Sequence, residues 1–155
     1  NKIALFWTIG ASIVSFVGAG LLGFAHTLPQ TNLYTHGTLV TAMHGHYAFW
    51  GAYAMIVLAI ISYALPNLTG RKRYNSVQGN AAFWLSNIGI LGMTVAQVYM
   101  ERKLKMEFME VQKETEIHFV VLLICATMFT VGIGLFIYDF IKYGRPTDEA
   151  LETEN

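Results

Sequence analysis

Two histidines separated by one glycine, His44-Gly45-His46, carry the strongest chemical signal in the sequence. Imidazole is the commonest metal ligand among side chains, and spacing decides whether two rings can share one ion. On an α-helix each residue turns by about 100°, so positions two apart project about 200° apart, toward nearly opposite sides. Two such rings cannot chelate one ion. On a strand the same spacing would set both rings on one face, an arrangement suited to a single copper or zinc ion. The apolar run around the motif, about Gly37 to Leu65, is too long for a strand. If both imidazoles are ligands, they serve two different metal centres on either side of one helix.

The elements that must position them follow from composition. Of 155 residues 54% are hydrophobic and only 13% charged, a balance that points to the lipid bilayer. Four apolar runs, at about 3–24, 37–65, 77–100 and 117–141, reach the roughly 20 residues that cross a bilayer. The expected fold class is therefore all-α, a polytopic transmembrane bundle of four spans forming a single membrane domain over 1–155. The first run follows Lys2 and is longer than a signal-peptide core. The sequence opens on Asn1 rather than methionine, which suits a processed product or a piece of something larger.

A formal charge of zero excludes a polybasic surface for nucleic acid. Charge placement sets topology instead. Arg71, Lys72 and Arg73 follow the second span, whereas Arg102, Lys103, Lys105 and Lys113 are mixed with acidic residues after the third. With Lys2, Lys142 and Arg145, six basic residues fall on the first side against four on the other, so both termini are expected in the cytoplasm. The acidic tail, 143–155, is then cytoplasmic, in the manner of a bacterial inner (cytoplasmic) membrane protein. The second span enters from outside near Gly37, placing His44 and His46 on the order of 10–14 Å along it.

Other polar or small residues have plainer readings. Ser15, Ala19 and Gly23 recur every four residues and suit close helix packing. Pro29, Asn32 and Tyr34 suggest a short irregular loop between Ala25 and His36. Asn87 and Gln97 must face protein or water, and interhelical hydrogen bonding is preferred over a proton path. Glu101 to Glu116 read as an amphipathic extension or outer loop, Asp139 and Lys142 as a pair one turn apart, and Cys125 as a small hydrophobe. His26 and His118, at span ends, read as interfacial.

A helical walk gives the two histidines different surroundings. Around His44 fall Gly37, Val40, Thr41, Ala48 and Gly51; around His46 fall Ala42, Met43, Phe49, Trp50 and Tyr53. One face is small and the other aromatic, so haem suits this environment better than a bare ion, since one histidine can supply an axial ligand while apolar walls hold the macrocycle. The plainer alternative makes both histidines polar glue between helices, donating to backbone or hydroxyl oxygens. A carrier with two bis-histidine haems would need four ligands, and only two are well placed. His36 and Thr38, at the outer end of the span, could meet haem propionates or simply cap the helix.

The stretch Asn32-Leu-Tyr-Thr-His-Gly-Thr38, then Thr41-Ala-Met-His-Gly-His-Tyr-Ala-Phe-Trp-Gly-Ala-Tyr53 and Ala59-Ile-Ile-Ser-Tyr-Ala-Leu-Pro66, resembles the large, cytochrome b subunit of cytochrome c-dependent nitric oxide reductases. These belong to the haem-copper oxidase superfamily. The likeness runs more weakly through Phe83-Trp84-Leu85, Gln97 and Met109-Glu110-Val111-Gln112. It implies that the four spans match the last four of twelve helices, with His44 the proximal ligand of a high-spin haem b and His46 an axial ligand of a low-spin haem b. Two b-type haems and a non-haem iron are then the cofactors, and reduction of nitric oxide to nitrous oxide with electrons from a cytochrome c subunit the reaction.

The family's other ligands, including those of the non-haem iron, lie in segments this sequence does not contain. The remaining helices of the catalytic subunit must therefore come from another chain or a missing segment. A haem-copper oxygen reductase and a quinol-fed nitric oxide reductase remain alternatives, although Gly45 and Ala48-Phe49-Trp50-Gly51 resemble the nitric oxide branch and Tyr34-Thr35-His36 the cytochrome c-fed type. A non-catalytic membrane scaffold is the alternative from another class.

Overall fold

A computed structural model describes residues 1–68, 76–103 and 108–143. The basic triplet Arg71, Lys72 and Arg73, together with Lys105, Arg145 and the tail beyond 143, lies outside the described residues. Five helices carry the described chain: α1 (Lys2–Thr27), α2 (Pro29–Thr35), α3 (Leu39–Leu68), α4 (Ser76–Lys103) and α5 (Phe108–Tyr143). All but α2 are long and apolar enough to cross a membrane, because an apolar medium forces each backbone to satisfy its own hydrogen bonds. No strand occurs among the described residues.

Local chemistry explains the boundaries. Asn1 caps α1 by accepting from the Ala4 amide at 3.2 Å, while Thr8 and Ser12 return their hydroxyls to carbonyls one turn earlier. Leu28 is extended ahead of Pro29, as a residue before proline must be. The connection between the first two spans is not the irregular loop expected. Pro29 occupies the first turn of α2, where its missing N–H is harmless and its fixed φ favours helix initiation. Gly37, at φ +72°, turns the chain into α3 through a conformation that a β-carbon would disfavour, and Thr38 caps α3 by accepting from Val40 N at 3.3 Å. After the third span, helix continues to Lys103 and resumes at Phe108, so the charged extension is helical over its described residues.

The core is aromatic and draws on all four spans. Trp7 of α1 is wholly buried and stands edge-on to Trp50 of α3, Phe83 of α4 and Phe136 of α5, with centroids 6.2, 5.1 and 5.9 Å apart. Such contacts contribute about 0.5–1.5 kcal/mol each beyond area burial. Trp50 also meets Phe129 of α5 at 5.0 Å. One cluster thereby ties the four spans together near the end where α1 begins.

α4 and α5 form an antiparallel pair with backbones in contact. A β-carbon on Gly89 would lie 2.6 Å from Phe129 N, and one on Gly132 would lie 2.6 Å from Ser86 N. Cys125 packs its thiol into the space Gly92 leaves, in keeping with a small hydrophobe. Glycine allows this approach where lipid offers no hydrophobic drive for association.

α1 and α3 also approach closely, with irregular backbone. Ser15–Leu21 in α1 and Trp50–Ala54 in α3 are π-helical, and a β-carbon on Gly51 would lie 2.8 Å from Ser15 N. The anticipated small-residue packing of α1 is thus realised, but mainly through Gly18, which is buried against Tyr47, and Gly23, which faces His44.

Candidate functional site

His44 projects from α3 toward α1. Its Nδ1 lies 2.6 Å from the carbonyl oxygen of Gly18, within the π-helical segment of α1. π-turns are scarce in helices and concentrate at functional places. A carbonyl can only accept, so Nδ1 carries a proton, and in the neutral tautomer with that proton the lone pair lies on Nε2. Gly23 lies beneath the ring: a β-carbon there would approach His44 Cε1 to 3.1 Å and Nε2 to 3.7 Å. The absent side chain at Gly23 therefore sets how deeply the imidazole can settle against α1.

His46 projects elsewhere and is exposed, as the helical geometry of two residues requires. Space beside Gly45 is open, with no heavy atom within 4 Å of a β-carbon built there. Phe49 and Tyr53, both about two-thirds exposed, lie alongside each other with centroids 6.1 Å apart and an interplanar angle of 33°.

Trp50 does not share that face. It is 5% exposed and donates its Nε1 hydrogen to Asn87 Oδ1 at 3.1 Å. Four residues of regular helix separate it from His46, about 40° round the axis, and that offset turns it into the core. Asn87 is completed by donating to Phe83 O at 2.8 Å, so this amide serves interhelical bonding. A second polar link joins the Tyr47 hydroxyl and Thr94 Oγ1 at 2.6 Å. Gln97 Oε1 is buried with no hydrogen-bond partner among the described residues.

The N-terminal end of α3 is bound up in turn formation. Thr38 donates its hydroxyl to Thr35 O at 2.6 Å. His36 is exposed at the end of α2, its backbone N–H bonded to Asn32 O at 2.9 Å. His118 stacks near Tyr99 at 6.4 Å, remote in sequence and element from the His44 contacts.

His26, at the end of α1, has a neighbour that its sequence position did not announce. Its ring lies 5.2 Å from that of His44, at an interplanar angle of 74°. Its Nδ1 is buried without a hydrogen-bond partner among the described residues. The available sequence signal was modest: His26 falls one helical turn after Gly23, on the stripe of small residues. No group of three or more His, Cys, Asp or Glu side chains that could hold a metal ion occurs among the described residues.

Residues 2–128 match the family described as cytochrome c and quinol oxidase polypeptide I. The chain belongs to this family, that of the haem-copper oxidases. It is similar to a nitric oxide reductase subunit of Stutzerimonas stutzeri, with 38% identity over 160 aligned residues that cover 94% of this chain. The chain spans about a third of that relative's length, 34%. With its four long apolar helices, it is a multi-pass membrane chain of that family.

Proposed function

We propose that this chain is the haem-ligating C-terminal portion of a respiratory nitric oxide reductase that takes electrons from a cytochrome c subunit. His44 is the axial ligand of a high-spin haem b, and His46 an axial ligand of a low-spin haem b on the opposite side of α3. One observation carries the reading: the Gly18 carbonyl occupies His44 Nδ1, leaving Nε2 as the donor an iron needs. Interhelical glue would make the same bond, so the haem reading draws its weight from the family match beside it, metal-bound histidines characteristically giving their other ring nitrogen to an acceptor.

The residues present fit the two groups. His46 is exposed beside an open stretch at Gly45 and two exposed aromatic rings, a face able to receive a flat macrocycle. His44 is half-buried, with its imidazole braced against α1. When bound, the haems supply redox-active iron for electron delivery and for the reduction of two nitric oxide molecules, with two electrons and two protons, to nitrous oxide and water. The chain orients both imidazoles and separates their centres by the width of one helix. The non-haem iron and the second low-spin ligand require the remaining helices of the catalytic subunit. Placement in a bacterial-type inner membrane with cytoplasmic termini belongs to the same reading. His36 and Thr38 lie at its outer edge, where propionates would be met.

The test uses the assembled membrane complex. Pyridine haemochrome analysis should find two b-type haems, and His46→Ala should remove the low-spin spectrum while largely sparing the high-spin one. A haem-free complex overturns the reading. Metal analysis separates the nearest alternative, since non-haem iron accompanies nitric oxide reduction and copper accompanies oxygen reduction.

A further inference from the structure

We infer that His26 is a positioning residue for His44, fixing the direction of its Nε2 donor through ring packing. The inference rests on the proposed haem ligation and extends it to a side chain outside the His-Gly-His motif. Three contacts confine the imidazole. The Gly18 carbonyl holds Nδ1 at 2.6 Å, Gly23 leaves room for Cε1, and the His26 ring stands at 74° to the His44 ring with centroids 5.2 Å apart.

These contacts restrict different motions. A hydrogen bond at Nδ1 fixes one atom but permits tilting about that contact. The surface at Gly23 blocks tilting toward α1. A ring packed roughly perpendicular to the imidazole resists its remaining rotation about the Cβ–Cγ bond, because the flat surfaces would collide. All three come from one stretch of α1, Gly18 to His26. Helix geometry supports their cooperation, since Gly23 and His26 are three residues apart and share a face.

The placement also accounts for a histidine at the end of an apolar span without making it a ligand. Its Nδ1 is buried and unpartnered among the described residues, so hydrogen bonding through that atom does not explain its location. Its shape does. A flat side chain at this position fits beside another flat side chain, and an aromatic ring without nitrogen should serve equally well.

The test compares His26→Phe with His26→Leu in the complete membrane assembly. Phenylalanine retains a flat ring, whereas leucine fills space without one and avoids the cavity an alanine would leave. Resonance Raman spectroscopy of the reduced high-spin haem reads the iron–imidazole stretching band, which responds to ring orientation. Leucine should shift or broaden that band and weaken high-spin haem retention by about 10-fold, with the low-spin spectrum unchanged. Phenylalanine should preserve both band and retention. Native-like behaviour of both variants, or equal disturbance by both, overturns the role assigned to His26. A band unaffected by His44→Ala would instead overturn the haem reading on which the inference rests.

Discussion

The α1–α3 and α4–α5 pairs achieve close packing in contrasting ways. In α4–α5, glycine brings together two helices of 28 and 36 residues without a π-helical segment. In α1–α3, both partners carry π-helical segments, and a carbonyl within one accepts from a histidine on the other. Regular backbone is sufficient for support. Irregular backbone occurs where a polar side chain must be given a particular orientation, at a local departure from the usual hydrogen-bond ladder.

The largest expected effect comes from breaking the supporting pair. Gly89→Leu would drive a side chain into backbone at Phe129 and Cys125. Neither can rotate away, so the loss should exceed the roughly 1–3 kcal/mol typical of an overpacked core. Chemical unfolding of the purified assembly should show the lower midpoint, with all spectroscopic features disturbed together.

Gly51→Val should have a smaller and more selective effect. Its β-carbon would meet Ser15 N and Val14 Cγ1 at 2.8 and 2.9 Å, separating α1 from α3 at a cost of about 1–3 kcal/mol. The high-spin signal assigned to His44 should change more than the low-spin signal assigned to His46. Equal changes would show that the two pairs do not differ in the way described.

The smallest effect is expected from Tyr47→Phe, which removes the hydroxyl near Thr94. Thr94 keeps carbonyl acceptors at Ile90 and Leu91, 3.0 and 2.9 Å away, so the polar link should be worth about 0.6 kcal/mol, the usual scale between membrane helices. An unfolding measurement resolving that difference would show how little polar contact sustains the bundle beside glycine packing and aromatic interlock.

Hydropathy exposed the four spans because bilayer thickness and backbone desolvation restrict the permitted patterns. The divergence of His44 and His46 was equally legible, being a consequence of helical rotation over two residues. Pro29 was harder to read, since proline both ends helices and begins them. The site at His44 required distant information: Gly18 and His26 meet it across α1 and α3, and hydropathy carries no record of which carbonyl faces a ring. The placement of Trp50 away from the His46 face likewise depended on partners on other spans, Trp7, Phe129 and Asn87.

The turn at Trp50–Ala54 gives α3 two angular reference frames. A helical wheel drawn through Phe49 loses phase when continued beyond Met55, because the wider turn changes the residue count per revolution. Surface stripes on the N-terminal and C-terminal halves must therefore be mapped on separate wheels. The five-residue segment works as a phase shifter, letting the histidine-bearing half and the Met55–Leu68 half each keep a face on α1, at Gly18 and at Gly10, along one continuous span.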